Sequence, residues 1–344
     1  MDQESVATLS EEDFEMPPSA KKYGPDDVAF PQHLIDHSIH PPLYRYPDGT
    51  KDPEPSNMSE IRAALREPRP SFALTDDEVS DFHFKYFSAK SIDNALSDLL
   101  ALVNADDRLA YLSSDSKLHF DNLDDLTDDR LEPAKPCYYQ GSRPESLQLD
   151  IREDLDALIV PSAYKDLPIL PNFFVETELR GCVARCQAIY AGALGARAMH
   201  SLRCYGSARP DVYDQKAYTI AATYHGGGLM LFASHIVGPE PGANHEDLCY
   251  ATTFLDFLPL LGDPEVCRRS VATYRNARDW ARRQRKDAIH LANQGFDSRG
   301  DVDSMSSEGA MVQAFEAVVD QFHRICDGRP AKRRRAYSPS SDAE

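Results

Sequence analysis

No stretch of the sequence approaches the ~18–20 consecutive apolar residues that a bilayer span needs. The N-terminus, MDQESVATLSEEDFE, lacks the basic-then-apolar pattern of a secretory signal, so secretion by that route is not expected. Basic charge is scarce: 37 Lys plus Arg stand against 56 Asp plus Glu, a net charge of −19. Phosphate binding is driven by Lys and Arg contacts that release bound cations, so bulk coating of nucleic acid is excluded and any such role must rest on a local basic patch. The seven cysteines are odd in number and scattered, which reads as free thiols in a reducing, intracellular compartment rather than a disulfide framework. Cys182 and Cys186 are four apart and would share a helix face, but no second pair and no histidine at ligand spacing accompany them, so zinc is not expected. No Ser-His-Asp or Cys-His pairing is supported by spacing, and there is no phosphate-cradling loop or dinucleotide fingerprint.

What remains is globular composition, 42% hydrophobic and 27% charged over 344 residues, enough for one large domain or two small ones. Residues 1–30 are polar, acidic and proline-bearing, and read as disordered. PPLYRYPDGT (41–50) reads as an extended segment ending in a turn. Asn57–Arg66 reads as a short helix capped by Asn57 or Ser59, and 89–104 carries Ile92, Leu96, Leu99, Leu100 and Val103 at helical spacing. The stretch 106–130 holds eight Asp against three basic residues, and reads as an exposed loop around a short strand near Lys117–Phe120. Asn172–Leu179 has strand character, and 183–204 is a helix rich in alanine and glycine. Two glycines inside a helix cost roughly 1 kcal/mol each, so something needs close backbone approach there, such as a sheet. HGGG (225–228) between two apolar runs signals a β-hairpin, and 248–258 reads as a further strand. Pro264, with Asp263 as cap, opens a long helix to about Ala292. In the tail, 296–344, Met311, Phe315, Val318, Phe322 and Ile325 form one apolar stripe on a helix over about 308–326. No internal repeat is evident. The order of elements predicts a mixed α/β domain over 31–295 with helices on the sheet faces.

Strand alternation puts Phe173 and Val175 on one face of 172–179 and Phe174, Glu176 and Glu178 on the other. Two like charges so close favour a cation between them, whether a metal, a Lys or an Arg, and hard ions such as Mg²⁺ or Mn²⁺ suit carboxylate oxygens. The alternative is an exposed face with two solvated acids. Arg185, Gln187 and Tyr190, on the helix that follows, would face the same pocket.

LPNFFVETE, a turn and then a helix with Gln resembles the PD-(D/E)xK phosphodiesterase core. The blocks PRPSFAL (68–74), KPCYYQGSRPESL (135–147), LPILPNFFVETE (167–178), CQAIYAGALGARAMHSL (186–202), YDQKAYTIAATYHGG (213–227) and YRNARDWARRQR (274–285) resemble a widespread family of uncharacterised fungal proteins with such a core. That resemblance spans about residues 31–295 and implies a restriction-endonuclease-like central sheet flanked by helices. It also implies a site in which an Asp and a Glu hold Mg²⁺ or Mn²⁺, and a Lys two residues after the Glu orients or activates the attacking water. Carried over by position, the site residues are Cys137, Glu176, Glu178 and Gln187. Cys137 stands where the family has Asp, and Glu178 where it has Lys; only Glu176 matches. A thiol is a poor Mg²⁺ ligand. Asp154 or Asp156, ahead of the apolar run Ala157–Val160, would supply the missing carboxylate, making Glu176 and Asp156 the metal ligands. The resemblance thus leads to a nuclease-like protein with impaired catalysis that binds nucleic acid or a protein partner. Two alternatives stand beside it: an active Mg/Mn-dependent phosphodiesterase with an Asp/Glu-x-Glu site, and a non-enzymatic scaffold needing no cofactor.

Arg275, Arg278, Arg282 and Arg285 recur at intervals of 3, 4 and 3 and form one helical stripe. On an acidic protein such a stripe would meet nucleic-acid phosphates, or else pair with the chain's own surplus acids, such as those of 106–130. Trp280, the single tryptophan, reads as a core anchor. In the polar tail, Lys332, Arg333, Arg334 and Arg335 fit a localisation signal read by a nuclear import receptor, and a phosphate at Ser338 would reduce that charge.

Overall fold

A computed structural model describes residues 22–69, 74–107, 114–128, 130–164, 166–177, 180–206, 213–238 and 248–303, the last seven of them as backbone only. The elements are α1 (Phe30–Asp36), β1 (Ile39–His40), α2 (Met58–Leu65), α3 (Asp76–Ser88), α4 (Ile92–Val103), β2 (Ser114–Asp115), β3 (Tyr138–Ser142), α5 (Leu149–Asp154), α6 (Asp156–Ile159), β4 (Ile169–Thr177), α7 (Gly181–Cys204), β5 (Thr219–His225), β6 (Gly228–Val237), β7 (Cys249–Pro259) and α8 (Pro264–Asp303).

The strands form one seven-stranded mixed sheet in the order β1-β7-β6-β5-β4-β3-β2. β4 and β5 are parallel and joined by α7, as a parallel pair requires a crossover. The steps β2-β3, β3-β4, β5-β6 and β6-β7 are antiparallel, and β1 joins β7 in parallel. Helices cover both faces, so the interior strand β4 is buried along its whole length. On one face Phe174, Ala221 and Ile236 pack against Ala188, Ala191 and Leu194 of α7. On the other, Phe173, Val175, Ile220 and Leu231 pack against Tyr274, Ala277, Trp280 and Ala281 of α8, with α2, α3 and α4 outside them. A third cluster joins Ile169 and Leu170, at the start of β4, to α5, α6, Met199 and Leu202 of α7, and Ile289 and Ala292 of α8.

Local sequence explains much of this. The β5–β6 hairpin turns on Gly226 and Gly227, at φ of 60° and 76°, the left-handed pair that a tight two-residue turn demands. α7 can lie close to the sheet because its inward residues are small: a Cβ on Gly195 would stand 2.8 Å from both Phe174 Cε2 and Thr219 Cγ2. Asp263 Oδ1 accepts the backbone N–H groups of Glu265 and Val266 and caps α8. Ser91 caps α4 through the N–H of Asn94, and Thr75 with Glu78 forms a capping box on α3.

Other expectations need correction. Asn57 stands at the start of α2 but does not cap it; its amide pairs with the backbone of Ala217, taking the N–H at 3.0 Å and donating to the carbonyl at 2.9 Å. The short strand lies at Ser114–Asp115 instead of Lys117–Phe120, because Lys117 takes a left-handed φ of 56°. α8 continues to Asp303, into the region read as tail. The stripe over 308–326 and the cluster Lys332–Arg335 lie outside the described residues. No helix among the described residues is long and apolar enough to cross a membrane.

Candidate functional site

Antiparallel pairing sets Tyr138 of β3 opposite Val175 of β4, which places Cys137 beside Glu176. The backbone N–H of Cys137 donates to Glu176 Oε2 at 3.1 Å, and the Cys137 thiol donates to the Thr177 carbonyl at 3.5 Å. Thr177 Oγ1 in turn donates to the Tyr224 carbonyl at 3.0 Å, tying this end of β4 to β5. Glu176 is 1% exposed, whereas Cys137 is half-buried. A carboxylate and a thiol from adjacent strands therefore share one nook at the C-terminal end of β4. A buried carboxylate needs compensating partners, and the Cys137 N–H is one of them.

Of the other expected members, those that are described are not joined to this nook. Glu178 lies outside the described residues. Gln187 sits in the second turn of α7; its Oε1 is buried and accepts no hydrogen bond, and no described bond joins it to Glu176. Asp156 opens α6 and accepts from Asn122 Nδ2 at 3.0 Å. Leu158 and Ile159 of that helix pack at the start of β4, beside Ile169. Ile169 and Glu176 are seven residues apart on one strand, about 23 Å at ~3.3 Å per residue. Asp156 is thus no metal partner of Glu176. Asp154 accepts from the Tyr205 hydroxyl, just past the far end of α7. Of the described residues, the nook offers a magnesium or manganese ion one hard oxygen ligand set, the Glu176 carboxylate, beside a thiol already turned to a carbonyl. That donor set does not fit such an ion, which prefers several oxygens.

The arginine stripe is the larger correction. Arg275, Arg278 and Arg285 are each 2% exposed. Arg275 donates from Nε to the Val103 carbonyl and from Nη2 to the Leu102 carbonyl, both at 3.0 Å, closing the C-terminal end of α4. Arg278 grips both oxygens of Asp106 at 3.0 Å and reaches Asn104 Oδ1 at 3.0 Å. Arg285 bonds Asn172 Oδ1 and Ser142 Oγ between β3 and β4. Arg282, half-buried, pairs with Asp107. The stripe faces inward, so it presents no surface for phosphates, and Asp106 and Asp107 are buried counter-ions rather than members of an exposed loop. Asp106 and Asp279 hold the Arg278 guanidinium above its ordinary pKa against the opposing effect of burial, while burial, the main cause, pulls Arg275 and Arg285 down. Trp280 is a core residue whose Nε1 donates to Glu60 Oε1 at 3.3 Å.

Two groupings escaped the sequence reading. His40, Asp52 and Cys249 meet where β1 joins β7, and His33, His37 and Asp128 meet beside α1. His33 and His37 stand four apart on one helical turn, a spacing visible in the sequence; Cys249 is 209 residues from His40, and nothing local announces that pairing. Compared with family models, curated proteins and solved structures, the chain matches none.

Proposed function

We propose that the chain is a nuclease-like protein with a restriction-endonuclease-like core whose cation nook has lost its cutting chemistry, and that it acts by binding. The observation that carries this reading is the 3.1 Å hydrogen bond from the Cys137 backbone to Glu176, because it brings together the two positions where the resemblance puts the metal-holding Asp and Glu. Cys137 replaces the first of these with a soft donor, and Asp156 does not stand in for it. With Arg275, Arg278 and Arg285 engaged inside the molecule, the reading favours a protein partner over nucleic-acid phosphates.

Restoring the pattern tests it. The double variant Cys137→Asp, Glu178→Lys is expected to gain Mn²⁺-dependent cleavage of DNA or RNA where the unaltered chain has none. A folded double variant with no metal-dependent cleavage on any of these substrates would speak against an inherited site.

A further inference from the structure

A second cluster of donor atoms lies away from the nook. His33 is on α1 and His37 follows its last turn, so their rings lie on one side, tilted at 42° with centroids 4.2 Å apart. Both rings turn Nε2 toward Asp128, on the segment between β2 and β3: His33 Nε2 is 3.2 Å from Oδ1 and His37 Nε2 is 3.7 Å from Oδ2. His37 Nδ1 lies 2.8 Å from the His33 carbonyl. A carbonyl only accepts, so Nδ1 carries the proton and Nε2 of the neutral ring presents a bare lone pair to the carboxylate. Two acceptors facing each other in this way are an arrangement that a metal ion bridges.

His33 makes the same point independently. It is 5% exposed, and its Nε2 makes no hydrogen bond despite lying so close to Asp128. Asp128 is itself held in place: Arg130 donates to Oδ2 from Nε at 2.6 Å and from Nη2 at 2.5 Å, and its backbone N–H donates to Oδ1 at 3.2 Å, the oxygen that also faces His33. Outer support of this kind orients a ligating carboxylate, and the His37 Nδ1–H to carbonyl bond is the matching support of a ligating imidazole. The His40, Asp52 and Cys249 group differs, because Asp52 already accepts from Tyr46 at 2.8 Å and faces His40 Nδ1 at 3.0 Å, so its donors satisfy one another.

We propose that His33 Nε2, His37 Nε2 and the Asp128 carboxylate form a binding site for a divalent transition ion of the zinc class, completed by a solvent ligand. Ligand bonds of ~2.0–2.1 Å at tetrahedral angles separate donors by about 3.3 Å, and the observed 3.2 and 3.7 Å need only small adjustment. Two imidazoles and one carboxylate suit zinc, cobalt or nickel better than magnesium. His37 and Asp128 are half-buried, which leaves an entry path for the ion. The ion staples α1 to the segment before β3, beside the bridge between Tyr23 and Leu131.

The test uses the full chain, stripped of metal and titrated with Co²⁺. The expected result is one ion whose visible absorption is that of a four-coordinate nitrogen and oxygen site, without a thiolate-to-cobalt band, displaced by Zn²⁺. His37→Ala and Asp128→Asn are each expected to weaken binding at least about 100-fold. Zn²⁺ should raise the unfolding temperature of the unaltered chain but not of either variant. A circular dichroism spectrum shows that each variant is folded; His37→Ala, at the half-buried ligand, and Asp128→Asn, nearly isosteric, give two independent readings. No binding, a thiolate-to-cobalt band, or affinity unchanged in the folded variants would overturn the proposal.

Discussion

Asp106 is the charge on which the interior of the α4–α8 interface depends. Its side chain is 3% exposed and meets three guanidinium groups: Arg69 Nη2 at 2.8 Å, Arg275 Nε at 3.3 Å and Arg278 Nη1 at 3.0 Å. Asp279 supplies the second negative charge, to Arg69 at 2.6 Å and Arg278 at 3.0 Å. Asp106→Asn keeps the shape but leaves three cations facing one anion, two of them with almost no access to water. Removing one partner of a buried ion pair costs about 3–5 kcal/mol, because the remaining charge is left uncompensated. At roughly 2–4 °C per kcal/mol for a domain of this size, the melting temperature should fall by about 6–20 °C. Urea unfolding would read the same loss, and salt would change it little, since buried pairs are weakly screened. As a contrast, Glu54→Ala removes the exposed pair with Arg62 and should cost less than about 1 kcal/mol. An Asp106→Asn variant losing under about 1 kcal/mol would refute the claim that the arginines are held by internal acids.

Two further predictions follow from packing and burial. Gly195→Ala should destabilise by about 1–3 kcal/mol despite alanine's better helix propensity, since the new Cβ meets Phe174, Thr219 and the Pro171 carbonyl; Gly295→Ala, with nothing within 4 Å, should stabilise by up to about 1 kcal/mol. His235, 1% exposed, has its pKa lowered by burial to about 4. Its unfolded form takes up a proton first as pH falls below 6.5, so its contribution to stability is whole above that value and is lost down to about pH 4, by roughly 3 kcal/mol. The pH dependence of urea unfolding should therefore be shallower over this window in His235→Leu than in the unaltered chain, and equal slopes would contradict the assignment.

Local chemistry made several elements readable from the sequence. The glycines after His225 announced a hairpin because glycine takes the left-handed backbone that a two-residue turn uses, and the small residues of 183–204 announced a helix pressed on a sheet. Pro264 and Asp263 announced the start of α8. Periodicity also revealed the arginine stripe, but it cannot say which way a stripe faces. The groups that settle its direction, Leu102, Val103, Asp106 and Asn172, lie more than a hundred residues away in the chain. Asn57 misled for the same reason, since a residue suited to cap a helix was taken by the backbone of Ala217. The nook at Cys137 and Glu176 was placed by a family resemblance, and strand pairing is what brings those two residues together. The histidine spacing at 33 and 37 was legible, but Asp128 joins it only through the fold.

The most direct test of the central claim is cleavage of single- and double-stranded DNA and RNA by the purified chain with Mn²⁺ or Mg²⁺, measured beside Glu176→Ala. The unaltered chain is expected to show no metal-dependent cutting, and both proteins the same background. Cutting that requires the metal and disappears in Glu176→Ala would contradict it.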